Sequence, residues 1–117
     1  MPHIEIVSIS SCEDQWHLPV MFFGQPRDLK PGECFELKGD EVRVGRHLNS
    51  ELKLPLPNVS KCHFRLVLRE GRYAYEDIGS RQIPIYNGER LMVHGTTRLM
   101  EDGDTFNAAG VLFRYHD

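Results

Sequence analysis

Three residues between Gly45 and Gly88 have side chains suited to gripping one anion. Arg46 follows Val44-Gly45 at the end of an alternating run, and Ser60 and Lys61 sit just ahead of Cys62-His63-Phe64. A guanidinium presents a planar fork matched to phosphate oxygens, a hydroxyl adds a donor, and an ammonium adds a point charge. Each charge-assisted hydrogen bond of this kind is worth ~1.5–3 kcal/mol. The set therefore suits a single dianionic phosphate. Taken one at a time these residues read as ordinary: a solvated arginine, a turn serine, a solubilising lysine. Their joint spacing points to a pocket.

Other chemistry finds less support. The histidines at 3, 17, 47, 63, 94 and 116 are scattered, and none has the i, i+4 spacing of a helical metal site. Cys62 and His63 are adjacent, but neighbours on a strand point to opposite faces and cannot act as nucleophile and base. The acids at Glu13-Asp14 and around Asp102-Gly103-Asp104 read as solvated turns. Neither GxxxxGK[ST] nor GxGxxG occurs, which removes the common nucleotide-binding hypotheses. Cys12, Cys34 and Cys62 are odd in number and form no CxxC pair, so they are expected to be reduced thiols rather than a disulfide framework or zinc knuckle. No catalytic residue, metal or cofactor is expected.

The elements that must hold such a pocket are short strands. Ten Gly and seven Pro in 117 residues leave few runs long enough for a helix. Phe64, Leu66 and Leu68 alternate with Arg65, Val67 and Arg69, and Ile4 and Ile6 and the run 41–44 show the same period of two. Further strands are expected at 35–37, 73–76, 105–106 and 111–115, separated by turns such as Glu70-Gly71, Asn87-Gly88 and Asp102-Gly103. This pattern predicts an all-β fold, either an antiparallel sandwich or a small barrel. The polar stretch 10–18 reads as a loop or a helical turn, and Trp16, Phe22 and Phe23 as core anchors or an exposed patch.

Composition agrees with a folded protein: 40% of residues are hydrophobic and 26% charged, away from the signature of disorder. The length accommodates one domain over 1–117. A net charge of −3 argues against a nucleic-acid partner, whose phosphates need a dense basic surface. No apolar run reaches the ~20 residues that cross a bilayer. An intracellular protein, cytoplasmic or nuclear, with no membrane partner is the expectation.

The spacing resembles the forkhead-associated (FHA) domain, a phosphothreonine-binding β-sandwich. The family pattern of Gly-Arg, acid, apolar residue, Leu, Val-Ser and His runs without a gap through Gly45-Arg46, Glu51-Leu52, Leu54, Val59-Ser60 and His63. Asp77-Ile78-Gly79-Ser80, Asn87-Gly88 and Gly103-Asp104 continue it, so the match spans roughly 35–117. The resemblance implies a sandwich of two twisted antiparallel sheets with binding loops at one end. It further implies that Arg46 and Ser60 grip the phosphate, with Lys61 adding charge or touching the peptide backbone. Gly45 and His63 become scaffold, the glycine permitting the loop geometry and the histidine tying the binding loops together. Asn87 and Gly88 are expected to form a tight turn that supports the site, and Asn58, Arg81 and Gln82 to contact the peptide.

One stretch departs from the family. Where Ser-x-Asn-Gly-Thr stands in the pattern, this chain has Ser80-Arg81-Gln82-Ile83-Pro84. Glutamine is one methylene longer than asparagine, and a β-branched isoleucine resists the positive φ that glycine supplies. Two readings follow: a non-enzymatic module for phosphothreonine on a protein partner or in cis, or a scaffold of the same fold that binds an unmodified protein through an altered loop or sheet face.

Overall fold

The computed structural model describes residues 2–9, 19–46, 49–54, 64–78, 85–91, 97–108 and 110–117. Alternating apolar residues become the inward faces of strands. β1 (His3–Ile9) buries Ile4 and Ile6, β5 (Glu41–Gly45) buries Val42 and Val44, and β13 (Val111–His116) buries Val111, Phe113 and Tyr115. β7 (Phe64–Arg69), β8 (Arg72–Asp77) and β12 (Thr105–Ala108) also fall where alternation is visible. The remaining strands have two or three residues: β2 (Val20–Phe22), β3 (Gln25–Arg27), β4 (Cys34–Glu36), β6 (Leu52–Lys53), β9 (Ile85–Tyr86), β10 (Glu89–Arg90) and β11 (Thr97–Leu99).

These strands make a six-stranded sheet, ordered β10-β9-β12-β13-β1-β4, and a seven-stranded sheet, ordered β11-β8-β7-β5-β6-β2-β3. The expected two-sheet sandwich is present, with one departure from antiparallel pairing: β5 and β6 run parallel, Val44 opposite Leu52 and Gly45 opposite Lys53. Parallel neighbours normally need a crossover of a dozen or more residues. Here β6 is so short that residues 46–51 suffice to bring the chain back level with Val44.

The core lies between the sheets and is largely aromatic. Phe106 of the first sheet has ring centroids 5.3 Å from Phe64 and 5.5 Å from Tyr75 of the second, and Phe22 lies 5.2 Å from Phe35. All of these but Phe22, at 7%, are fully buried, so Phe22 is a core anchor. Phe23 is half-buried in the β2–β3 turn, where its φ of 48° is unusual for a bulky residue. Its backbone N–H donates to the Glu51 carbonyl at 2.8 Å, and the Lys38 ammonium lies 4.6 Å from its ring centroid.

Two ends of the sandwich are distinct. At one, Gly39, Asp40, Tyr73, Tyr115 and Asp104 gather: the Tyr73 hydroxyl donates to the Gly39 carbonyl at 2.7 Å, and the Tyr115 N–H to the Asp104 carbonyl at 2.8 Å. Gly45, Phe64 and Asp77 mark the other. On one side the edge strands β3 and β4 come together through Arg27, whose guanidinium donates to the Glu33 carboxylate at 2.9 Å and the Cys34 carbonyl at 2.6 Å and lies 5.0 Å over the Phe35 ring.

Candidate functional site

Strand register decides which segments meet. Val42 and Val44 of β5 point into the core and Arg43 outward, and the strand ends at buried Gly45, after which Arg46 is exposed. Val44 is opposite Phe64 on β7, and Phe64 is opposite Asp77 on β8. Adjacent strands lie about 4.8 Å apart, so the end of β5, the start of β7 and the end of β8 sit within about 10 Å along one rim. β7 begins at this rim with Phe64, and β8 ends at it with Asp77. Ser60, Lys61, His63, Asn58, Arg81 and Gln82, together with the Gln82-Ile83-Pro84 departure, lie outside the described residues. Of the phosphate-binding candidates, Arg46 alone is described.

Gly45 does not share the positive φ of the turn glycines. It occupies a crowded point of the sheet instead, buried, paired with Lys53, its carbonyl accepting the Leu54 N–H at 2.9 Å.

Asn87 and Gly88 form the tight turn, with φ of 52° and 78°, as a type I′ hairpin requires. They stand, however, at the end opposite Arg46. The Asn87 amide donates to Asp104 Oδ1 at 3.0 Å, its carbonyl oxygen accepts the Thr105 N–H at 2.7 Å, and the Tyr86 hydroxyl donates to Asp104 Oδ2 at 2.6 Å. Thr105 faces Arg114 at the start of β12, whereas β12 reaches the Gly45 end only at Ala108. The turn fastens that end of the sandwich through Asp104 and Thr105.

Glu51 is the contributor that residue types alone did not single out. Its Oε1 accepts the Arg43 backbone N–H at 2.7 Å, and its Oε2 accepts the Arg43 guanidinium at 3.1 Å. Burial would raise the Glu51 carboxyl, but hydrogen bonds from the Arg43 side chain and backbone, with its charge, outweigh burial and hold it below the usual carboxylate range. Only the family pattern marked an acid at this position.

The described histidines make one pairing that their scatter in sequence concealed. His3 and His116 stack with centroids 4.7 Å apart, and His116 Nε2 lies 2.8 Å from Glu5 Oε1. Among the described residues no group of three or more His, Cys, Asp or Glu is arranged to hold a metal ion, and no helix is long and apolar enough to cross a membrane. Cys34 is an exposed free thiol, raised chiefly by burial and by the nearby Glu5 and Glu33 charges. Cys12 and Cys62 lie outside the described residues.

Comparison with known proteins matches the family model of the FHA domain to residues 42–108, more than half of the chain. No protein of curated function matches by sequence. Among solved structures, an FHA domain from a study of phosphothreonine-dependent FHA domain interactions superposes with a TM-score of 0.70 at 14% identity, over 99% of this chain and 95% of that one. Mycobacterium tuberculosis EmbR in complex with a low-affinity phosphopeptide gives a TM-score of 0.66 at 24% identity, over 73% of this chain and 22% of that one. The cytoplasmic domain of PscD, a type III secretion sorting-platform protein of P. aeruginosa, gives 0.66 at 14% identity, over 99% and 79%.

Proposed function

Because the chain belongs to the FHA-domain family, we propose that it is a phosphopeptide-binding module that reads phosphothreonine on a protein partner or in cis and performs no chemistry. One observation carries this reading: Arg46 stands exposed at the end of β5, on the rim where 55–63 joins the sheet at Phe64. In this reading Arg46 and Ser60 grip the phosphate, Lys61 adds charge, and His63 and Gly45 hold the loops. Asn58, Arg81 and Gln82 meet the flanking peptide. No cofactor is required, residues 1–117 act as one domain, and the setting is intracellular. The phosphopeptide in the EmbR complex supports the ligand class.

A phosphoryl group brings about −1.5 to −2 charge, so association switches on with phosphorylation of the partner. The Gln82-Ile83-Pro84 departure favours a second reading, a phosphate-blind scaffold of the same fold. Fluorescence anisotropy separates the two. The wild type is expected to bind a degenerate phosphothreonine peptide pool saturably and to ignore the unphosphorylated pool. Phosphoserine, lacking a methyl worth ~0.8 kcal/mol, binds roughly fourfold more weakly. Arg46→Ala removes at least two charge-assisted hydrogen bonds and lowers affinity roughly 100-fold. Equal binding of phosphorylated and unphosphorylated pools would establish the scaffold instead.

A further inference from the structure

Arg46 lies in a connection that ordinary sheet geometry does not stabilise. The β5–β6 pair is parallel yet joined by residues 46–51 alone, and β6 extends only over Leu52–Lys53. A strand that short reaches Val44 and Gly45 but stops before Arg43, leaving the Arg43 backbone N–H without a β6 partner. The Glu51 carboxylate takes that place, with Oε1 2.7 Å from the Arg43 nitrogen and Oε2 3.1 Å from Nη2 of the guanidinium. The next residue-pair up, Gly45 carbonyl to Leu54 N–H at 2.9 Å, closes the connection from the other side. The Glu51 backbone is fixed independently, its carbonyl accepting the Phe23 N–H at 2.8 Å. The two feet of the connection that carries Arg46, Arg43–Gly45 and Glu51–Leu54, are thus held to each other, and one of the holds is a side chain.

We infer that Glu51 is a positioning residue for the phosphate site: by taking the place of a strand partner beside Arg43 it holds together the feet of the connection that presents Arg46 before the ligand arrives. The inference rests on the phosphopeptide reading above. A loop ordered in advance lowers the entropy lost on binding, and a loop released from one clamp must be ordered by the ligand itself. Arg43 is the other half of the clamp. Protonation of Glu51 releases the guanidinium but leaves a carbonyl oxygen for the Arg43 N–H, as Glu51→Gln does, whereas Glu51→Ala removes both bonds.

The test measures affinity of the full chain for the phosphothreonine pool in wild type, Glu51→Ala, Glu51→Gln, Arg46→Ala and Tyr115→Phe, with a melting curve for each. Tyr115→Phe breaks a hydrogen bond at the opposite end, its hydroxyl donating to Asp117 at 3.1 Å, and serves as the measure of general destabilisation. The expected result is about tenfold weaker binding by Glu51→Ala and an intermediate loss by Glu51→Gln. Tyr115→Phe should bind as wild type. Should Glu51→Ala not fold, Glu51→Gln decides the matter alone. Folded Glu51 variants that bind within twofold of wild type while Arg46→Ala loses binding would overturn this inference and leave the phosphopeptide reading standing. A Tyr115→Phe loss equal to that of Glu51→Ala also overturns it, since stability would then account for the effect. Absence of phosphothreonine-dependent binding in the wild type overturns both.

Discussion

Asp104 accepts three hydrogen bonds, from the Tyr86 hydroxyl at 2.6 Å, the Asn87 amide at 3.0 Å and the Glu101 N–H at 3.0 Å. Burial acts to raise its carboxyl, and the three donors overcome this and hold it below its ordinary value. Tyr86 is shifted the opposite way by burial and by its bond to Asp104, so its hydroxyl remains a donor throughout the neutral range. A carboxyl depressed in the folded state stabilises the fold above its unfolded pKa and loses that contribution as pH falls through the folded value. Asp104→Asn is therefore expected to be less stable than wild type by about 1–2 kcal/mol at pH 7. The gap should close below about pH 4, and urea melts across that range check it. Glu51 has the same sign, so neither group titrates near neutrality. The second ionisation of the phosphate, whose pKa is about 6, is expected to weaken phosphopeptide binding as pH falls through that value.

Elements long enough to display a period could be read from the sequence, and short ones could not. β1, β5, β7 and β13 were visible because their apolar residues recur at every second position, while the two or three residues of β2, β6 and β9 display no period at all. The Phe23-Gly24 turn was hidden for another reason. Phenylalanine is not a turn signal, and what settles it there is contact with Phe22, Lys38 and Glu51, remote in sequence or dependent on the fold. The Gly-Arg spacing placed Arg46 at a strand end, where it stands exposed, whereas the contact of Glu51 with Arg43 was not legible, since it depends on the strand register that brings the two together. Asn87 and Gly88 were read as a tight turn, and the turn is present, although spacing names a turn and not the end of the sandwich it occupies. Among the packed elements, Phe106 bridges the sheets by contacts with Phe64, Tyr75 and Phe113. Phe106→Ala should cost about 3–5 kcal/mol in chemical denaturation.

At the scale of the whole molecule, the two sheets divide labour by direction. Arg46, Phe64 and Asp77 mark one rim, while the hydrogen bonds of Asp104, Tyr73 and Tyr115 lie at the other end. The Arg27 contact has a different kind of consequence. β3 and β4 are the terminal strands of their sheets, and a terminal strand is a template on which another chain can add. Pro26 has no N–H to offer on β3, and on β4 the outward Cys34 carbonyl is already taken by Arg27. Arg27→Ala uncovers that carbonyl beside Phe35 and is expected to raise light scattering on mild heating, with native secondary structure retained at room temperature. One guanidinium thus guards this edge of the sandwich against the addition of a strand from another chain.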